Sequence, residues 1–186
     1  MTGNEEIHPE LHAQILIVDD EVEHAEVMSE ALRRVGHVCT IVNGAVAAED
    51  ELRFGAFDLV VTDLSMEEED SGLRVLELAR EHQPDAETIM VTAHGDVPTA
   101  KAALQGGAYD FIEKPLDLEV FRNLVQRACE TVRLRHHNTR LQDQVDAAYG
   151  FEGIIGDSPG IRKVIQTIKQ VGPSMIPVLI IGESGT

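Results

Sequence analysis

Two aspartates, Asp19 and Asp20, stand at the end of the apolar run Leu16-Ile17-Val18, with Glu21 directly behind them. Carboxylates this close repel, and in a partly dry site they shift one another's pKa or recruit a cation. Three further apolar runs end on reactive side chains: FDLVVTD on Asp63, ETIMVT on Thr92 and YDFIEK on Lys114. Brought together, three carboxylates, a hydroxyl and an ammonium suit a hard divalent cation and an incoming phosphoryl group. Magnesium takes oxygen ligands, makes close carboxylates tolerable and bridges them to a phosphoryl oxygen. An aspartate beside it can act as nucleophile and become an acyl phosphate. Asp63 stands alone at its strand end and fits that part, while the adjacent Asp19 and Asp20 suit the metal. Lys114 and Thr92 would then hold phosphoryl oxygens.

Each of these residues also has an ordinary explanation. An acid at a strand end solubilises a loop, or caps the next helix as Asp19 or Asp20 could do here. Thr92 fits a turn, and Lys114 before Pro115 fits a solvated lysine. Their occurrence at four strand ends is what favours chemistry, provided that the strands are parallel and deliver all four to one edge. The pattern supports this. Strand-length runs recur at 14–19, 37–42, 57–63, 87–92 and 109–114, and helical stripes lie between them. Val22, Ala25, Met28, Leu32 and Val35 make one stripe, closed by Gly36; Leu73, Leu76 and Ala79 make a second, ended by Pro84. Thr99 to Leu104 starts a third, which Gly106-Gly107 stops. Parallel strands need helical crossovers, so the expectation is an α/β fold, a doubly wound five-stranded parallel sheet. Both faces of such a sheet are covered, so its strands read as continuous apolar runs, and its ligands bind beyond the strands' carboxyl ends.

After Pro115 the pattern changes. Residues 116–149 hold neither Pro nor Gly and predict one long helix. Its second half carries Leu134, Asn138, Leu141, Val145 and Ala148 at alternating spacings of four and three, a short heptad seam that suits either a parallel dimer or a solvated linker. Beyond it, GDSPG (156–160) leads to an amphipathic helix with Ile161, Val164, Ile165, Ile168 and Val171, then to an apolar strand, PVLIIG (177–182).

The net charge of −18 is lopsided: residues 1–117 carry 26 acidic against 7 basic side chains, residues 118–186 carry 7 against 8. Such an acidic part repels phosphate backbones, which argues against direct nucleic-acid binding and for cations or basic partner surfaces. Cys39 and Cys129 lack metal-ligand spacing and read as small core residues of a reduced protein. The acidic N-terminus is unlike a signal peptide, and no apolar run reaches the roughly 18 residues of a membrane span. A cytoplasmic location without membrane contact is the expectation.

The set VDDE, VVTDLSM, MVTAHG and GAYDFIEKP resembles the receiver domain of bacterial two-component response regulators over roughly residues 12–130. The resemblance implies that Asp63 is the phosphoacceptor, served by a sensor histidine kinase. It makes Asp19 and Asp20 the acidic pocket for Mg²⁺, with the backbone carbonyl of Ser65 as a further ligand, and Thr92 and Lys114 the phosphate-contacting pair. It implies that Phe111 changes rotamer on phosphorylation, Tyr109 being outside the switch position. Ser65 and His94 fall where the family tunes hydrolysis of the phosphoryl group, and Ala93 where a small residue admits it. One departure is the acidic loop Glu67–Asp70, which lacks the family's Pro and is one residue longer.

A second resemblance covers IIGDSPGIRKVIQTIKQVGPS and VLIIGESGT, similar to the opening of the AAA+ domain in NtrC-type activators, which work with sigma-54 RNA polymerase. Gly182, Glu183, Ser184, Gly185 and Thr186 match a partial phosphate loop without its lysine, so ATP binding by this polypeptide is not expected. The organisation read from the sequence is a tail (1–12), a receiver (13–130), a linker helix supporting a homodimer (131–150) and a truncated AAA+ start (151–186). Two rival readings stay open: an aspartyl-nucleophile phosphohydrolase, which would favour an Asp-x-Asp pair on the first strand, and a pseudo-receiver that is never phosphorylated.

Overall fold

The computed structural model describes residues 12–66, 71–92, 97–148, 158–172 and 177–179. Five parallel strands, β1 (Gln14–Val18), β2 (Val38–Val42), β3 (Leu59–Asp63), β4 (Glu87–Thr92) and β5 (Asp110–Glu113), form one sheet in the order β2-β1-β3-β4-β5. The crossovers are α1 (Val22–Arg33), α2 (Ala45–Phe54), α3 (Ser71–His82) and α4 (Val97–Gly106), and α5 (Leu118–Ala148) follows β5.

Period-two alternation divides the core. Ile15 and Ile17 of β1 and Leu59 and Val61 of β3 pack with Ala25, Met28 and Leu32 of α1 and Phe121 and Val125 of α5. Leu16, Val18 and Val60 face the other way, onto Ala48 and Leu52 of α2 and Val75 and Ala79 of α3. Leu64, Leu76, Met90 and Ala103 extend that side under α3 and α4. Both sides of β1 and β3 are therefore dry, which is why these strands read as unbroken apolar runs. Cys39 and Cys129 lie in the first cluster; burial first, then Asp58 and Glu130, pushes the Cys129 thiol up to about 12.

The expected doubly wound sheet is found, with each strand starting no more than two residues from its sequence bounds. The crossover α2 had no stripe assigned to it, because its inward face is short and partly alanine: Ala45, Ala48 and Leu52. Gly36 ends the α1 turn in the left-handed region, at φ 98°.

The chain divides into two compact units, Met1–Asn138 and Thr139–Thr186. Within the first, α5 buries Phe121, Leu124, Val125, Ala128, Cys129 and Val132. From Arg133 to Gln142 the helix is exposed on all sides, including Leu134 (59%) and Leu141 (44%). In the second unit α6 (Pro159–Val171) starts from Ser158, whose hydroxyl accepts the Ile161 N–H at 3.3 Å. Pro177–Leu179 is not in a strand, and Val178 and Leu179 are exposed, while residues 180–182 of that expected strand lie outside the described residues. The tail before His12, the loop Glu67–Asp70, Ala93, His94, the side chains of Val145 and Ala148, and Gly182–Thr186 lie outside the described residues.

At the edge of the sheet opposite the aspartates, buried His37 accepts the Ala13 N–H at Nδ1, 3.3 Å away. Burial first, then the nearby His12, holds its pKa below the ordinary 6.5, against the pull of Asp58. A histidine with a lowered folded pKa contributes stability above its unfolded value and loses it as pH falls through the folded one. Unfolding titrations should therefore show stability dropping below about pH 6.5, by no more than about 1.4 kcal/mol per pH unit from this one proton. His37→Gln should flatten that limb, and an unchanged slope would rule His37 out as its source.

Candidate functional site

The chain runs from β1 outward to β2 and then back across to β3, so β1 and β3 flank the point where the strand order reverses. In open α/β sheets this crevice at the carboxyl ends is where ligands bind. Asp19 follows β1 and Asp63 ends β3 beside it, since Val18 pairs with Thr62. Asp20 completes the group: one carboxylate oxygen from each of Asp19, Asp20 and Asp63 lies within 4.8 Å of the others.

Lys114 closes the site from β5. Its Nζ donates to Asp63 Oδ2 at 2.6 Å and to Asp19 Oδ2 at 3.3 Å. Its backbone N–H donates to the Thr92 carbonyl at 2.8 Å, which ties it to the end of β4, and the Lys114–Pro115 peptide is cis. The Lys114 side chain is 19% exposed, that of Asp63 7% and that of Asp19 0%. Burial alone would lower the lysine pKa, but the hydrogen bond and charge of Asp63, followed by those of Asp19, outweigh it and hold the ammonium above its ordinary value. At neutral pH the site therefore contains a fixed cation.

Asp63 Oδ1 accepts the Ser65 N–H at 3.2 Å, two residues on. Asp19 Oδ1 accepts the Glu21 N–H at 2.9 Å in the same manner, so it orders the loop, while Glu21 occupies the N-cap position of α1 without a side-chain capping bond. Thr92 is buried at the end of β4. Phe111, paired in register with Met90, packs half-buried against the cluster of Leu64, Leu76 and Met90. Tyr109 packs on the opposite side of the sheet, with its hydroxyl 3.5 Å from Thr131 Oγ1. Thus Asp19, Asp20, Asp63 and Lys114 meet at one point, Ser65 sits beside them, and Thr92 and Phe111 are one strand away or more. His24, which no spacing rule singled out, also reaches the site: its Nδ1 is 3.1 Å from Lys114 Nζ.

The donor set fits a hard cation, since it offers charged oxygens from three residues that otherwise repel one another. Desolvation, only partly countered by the Glu21 N–H and by Lys114, raises the Asp19 pKa. A carboxylate with a raised folded pKa favours the folded state below its unfolded value and costs stability once pH exceeds the folded one. Without divalent cation at about pH 7, Asp19→Asn should be more stable by on the order of 1 kcal/mol. Added Mg²⁺ should raise the melting temperature of the unsubstituted chain more than that of the variant. Calorimetry with and without Mg²⁺ checks both, and a destabilised variant would show that the Lys114 pairing outweighs desolvation.

Residues 15–126 match the response regulator receiver domain. The chain belongs to the two-component response-regulator family, and within it to the NtrC type. It is 34% identical over 172 residues to the transcriptional regulatory protein ZraR of Klebsiella oxytoca, covering 92% of this chain and 38% of that one. Crystalline NtrX from Brucella abortus superposes with a TM-score of 0.68 at 30% identity, covering 88% of this chain and 35% of NtrX. The beryllofluoride-activated NtrC4 receiver domain dimer superposes at 0.60 with 32% identity, covering 64% of this chain and 98% of that one. The chain thus spans less than two fifths of the length of the curated relatives it matches.

Proposed function

We propose that this chain accepts a phosphoryl group from a sensor histidine kinase on Asp63, in a reaction that depends on Mg²⁺. The observation that carries the reading is the Asp63 carboxylate bonded at 2.6 Å to the Lys114 ammonium, with the Asp19 and Asp20 carboxylates beside it. An Asp63 oxygen attacks phosphorus, the bond to the phosphohistidine nitrogen breaks, and that nitrogen leaves with the electron pair. Lys114 then turns from the carboxylate to an oxygen of the acyl phosphate, a charge-assisted bond. Thr92 donates to a second oxygen, and Phe111 follows it inward. Asp19, Asp20, Asp63 and the Ser65 carbonyl would hold Mg²⁺, which when bound would neutralise the charge that develops in transfer. The receiver catalyses its own phosphorylation and its own hydrolysis, and turns over no other substrate.

In the intact protein we expect the phosphorylated receiver to control an AAA+ ATPase and transcription by sigma-54 RNA polymerase. The exposed Leu134, Asn138 and Leu141 on α5 support a homodimer through the linker helix, with receiver 13–130, linker 131–150 and AAA+ start 151–186. No described helix is long and apolar enough to cross a membrane; the reading itself places the protein in the cytoplasm, meeting neither membrane nor DNA through these residues.

Acetyl phosphate with Mg²⁺ should add the mass of one phosphoryl group to the intact chain, and a chelator should abolish the addition. Incorporation that ignores the chelator would remove the metal-dependent reading. A chain that takes up nothing under either condition would be a pseudo-receiver.

A further inference from the structure

An ammonium has three N–H donors, and the structure gives each of those on Lys114 an acceptor: Asp63 Oδ2 at 2.6 Å, His24 Nδ1 at 3.1 Å and Asp19 Oδ2 at 3.3 Å. Two of these come from the strand ends. The third comes from α1, whose first turn directs His24 back over the acid cluster. The same Nδ1 lies 3.4 Å from Glu21 Oε1, so two neighbours ask opposite things of it. Glu21 would favour a proton on Nδ1, whereas Lys114, which can only donate, needs a lone pair there. The ammonium is the nearer of the two, and a proton on Nδ1 would set N–H against N–H. The Lys114 contact thus requires Nδ1 as the acceptor, with the ring proton on Nε2.

We infer that His24 is a positioning residue for Lys114, its lone pair holding one ammonium donor so that the others stay aimed at Asp63. This rests on Asp63 being the phosphoacceptor. Lysine is a point charge on a flexible four-carbon stem, and this one is partly exposed. Once Asp63 carries a phosphoryl group, its negative charge moves outward onto the new oxygens and the ammonium must follow. An anchor on a separate element keeps the ammonium over the site during that move, when its bond to Asp63 is given up. Among the described residues the polar contacts of His24 are to Lys114 and Glu21 and not to Asp63, so its effect passes through Lys114.

His24→Leu removes the lone pair, and His24→Asn returns a carbonyl oxygen close to the place of Nδ1. Incorporation from acetyl phosphate, followed over a range of donor concentrations in Mg²⁺, should be about 10-fold slower at its maximum in His24→Leu. His24→Asn should recover most of that loss, while both variants melt alike. Equal rates in His24→Leu and the unsubstituted chain would overturn the inference, as would His24→Asn being as slow as His24→Leu. If the unsubstituted chain takes up no phosphoryl group, the Asp63 reading fails instead, and the imidazole ¹⁵N spectrum at neutral pH then decides. An unprotonated Nδ1 whose resonance moves in Lys114→Met supports the contact, and a protonated Nδ1 overturns it.

Discussion

Asp63→Asn should remain at its unmodified mass after acetyl phosphate and Mg²⁺ have fully modified the unsubstituted chain. A carboxamide oxygen is a poor nucleophile, and among the described residues no other carboxylate pairs as closely with Lys114. The Asp19 side chain is 0% exposed against 7% for Asp63 and lies 3.3 Å from the ammonium rather than 2.6 Å, and among the described ion pairs Asp20 has none with Lys114. We expect the rate to fall by at least about 10³-fold, the scale on which loss of a nucleophile is felt. The fold should survive, because the amide oxygen of asparagine can still accept from Lys114 and because one of three crowded negative charges has gone. Intact-mass spectrometry gives the rate and calorimetry the stability. A variant that still gains one phosphoryl group at an appreciable rate would move the acceptor elsewhere.

Gly72→Ala should be the most destabilising of the substitutions considered. Gly72 is the second residue of α3, and its N–H donates to the Leu64 carbonyl at 3.1 Å, which holds the helix start against the end of β3. A Cβ there would lie 2.2 Å from the Asp63 carbonyl oxygen, 2.6 Å from Leu64 Cα and 2.9 Å from the Leu64 carbonyl oxygen. All three atoms are backbone, so no side chain can swing aside. Either α3 lifts away from Leu64 or the turn after Asp63 shifts. We expect a loss of about 3 kcal/mol, near the upper end for overpacking, and a fall in melting temperature of roughly 10 °C. The surviving folded protein should also take up phosphoryl more slowly, because the displaced turn carries the Asp63 carboxylate. A melting point within a degree of the unsubstituted chain would mean that the helix start moves freely.

The strands were legible because both sides of the central ones are buried, and the helices α1 and α3 because their inward faces carry large apolar residues at regular spacing. The helix α2 was not singled out, since alanines supply much of its contact. The meeting of Asp19, Asp20, Asp63 and Lys114 could be read because parallel strands carry their termini to a common edge, so sequence position becomes spatial position. His24 could not be read that way. Its approach to Lys114 depends on how the first turn of α1 leans over the sheet, and 90 residues separate the two. Pro177–Leu179 shows the converse, a run that is apolar yet exposed and not in a strand.

The continuity of α5 has a mechanical consequence. The helix has 31 residues and neither Gly nor Pro to interrupt it, and its buried side chains end at Val132 among the residues whose side chains are described. From Phe121 to Asn138, where the first unit ends, the helix is about 26 Å of stiff rod at 1.5 Å per residue. A reorientation of a few degrees at the root, too small to break any core contact, displaces the far end by about 2 Å. The rod acts as an amplifier, so a small motion near Phe121 arrives at the tip as a displacement comparable to the width of an atom.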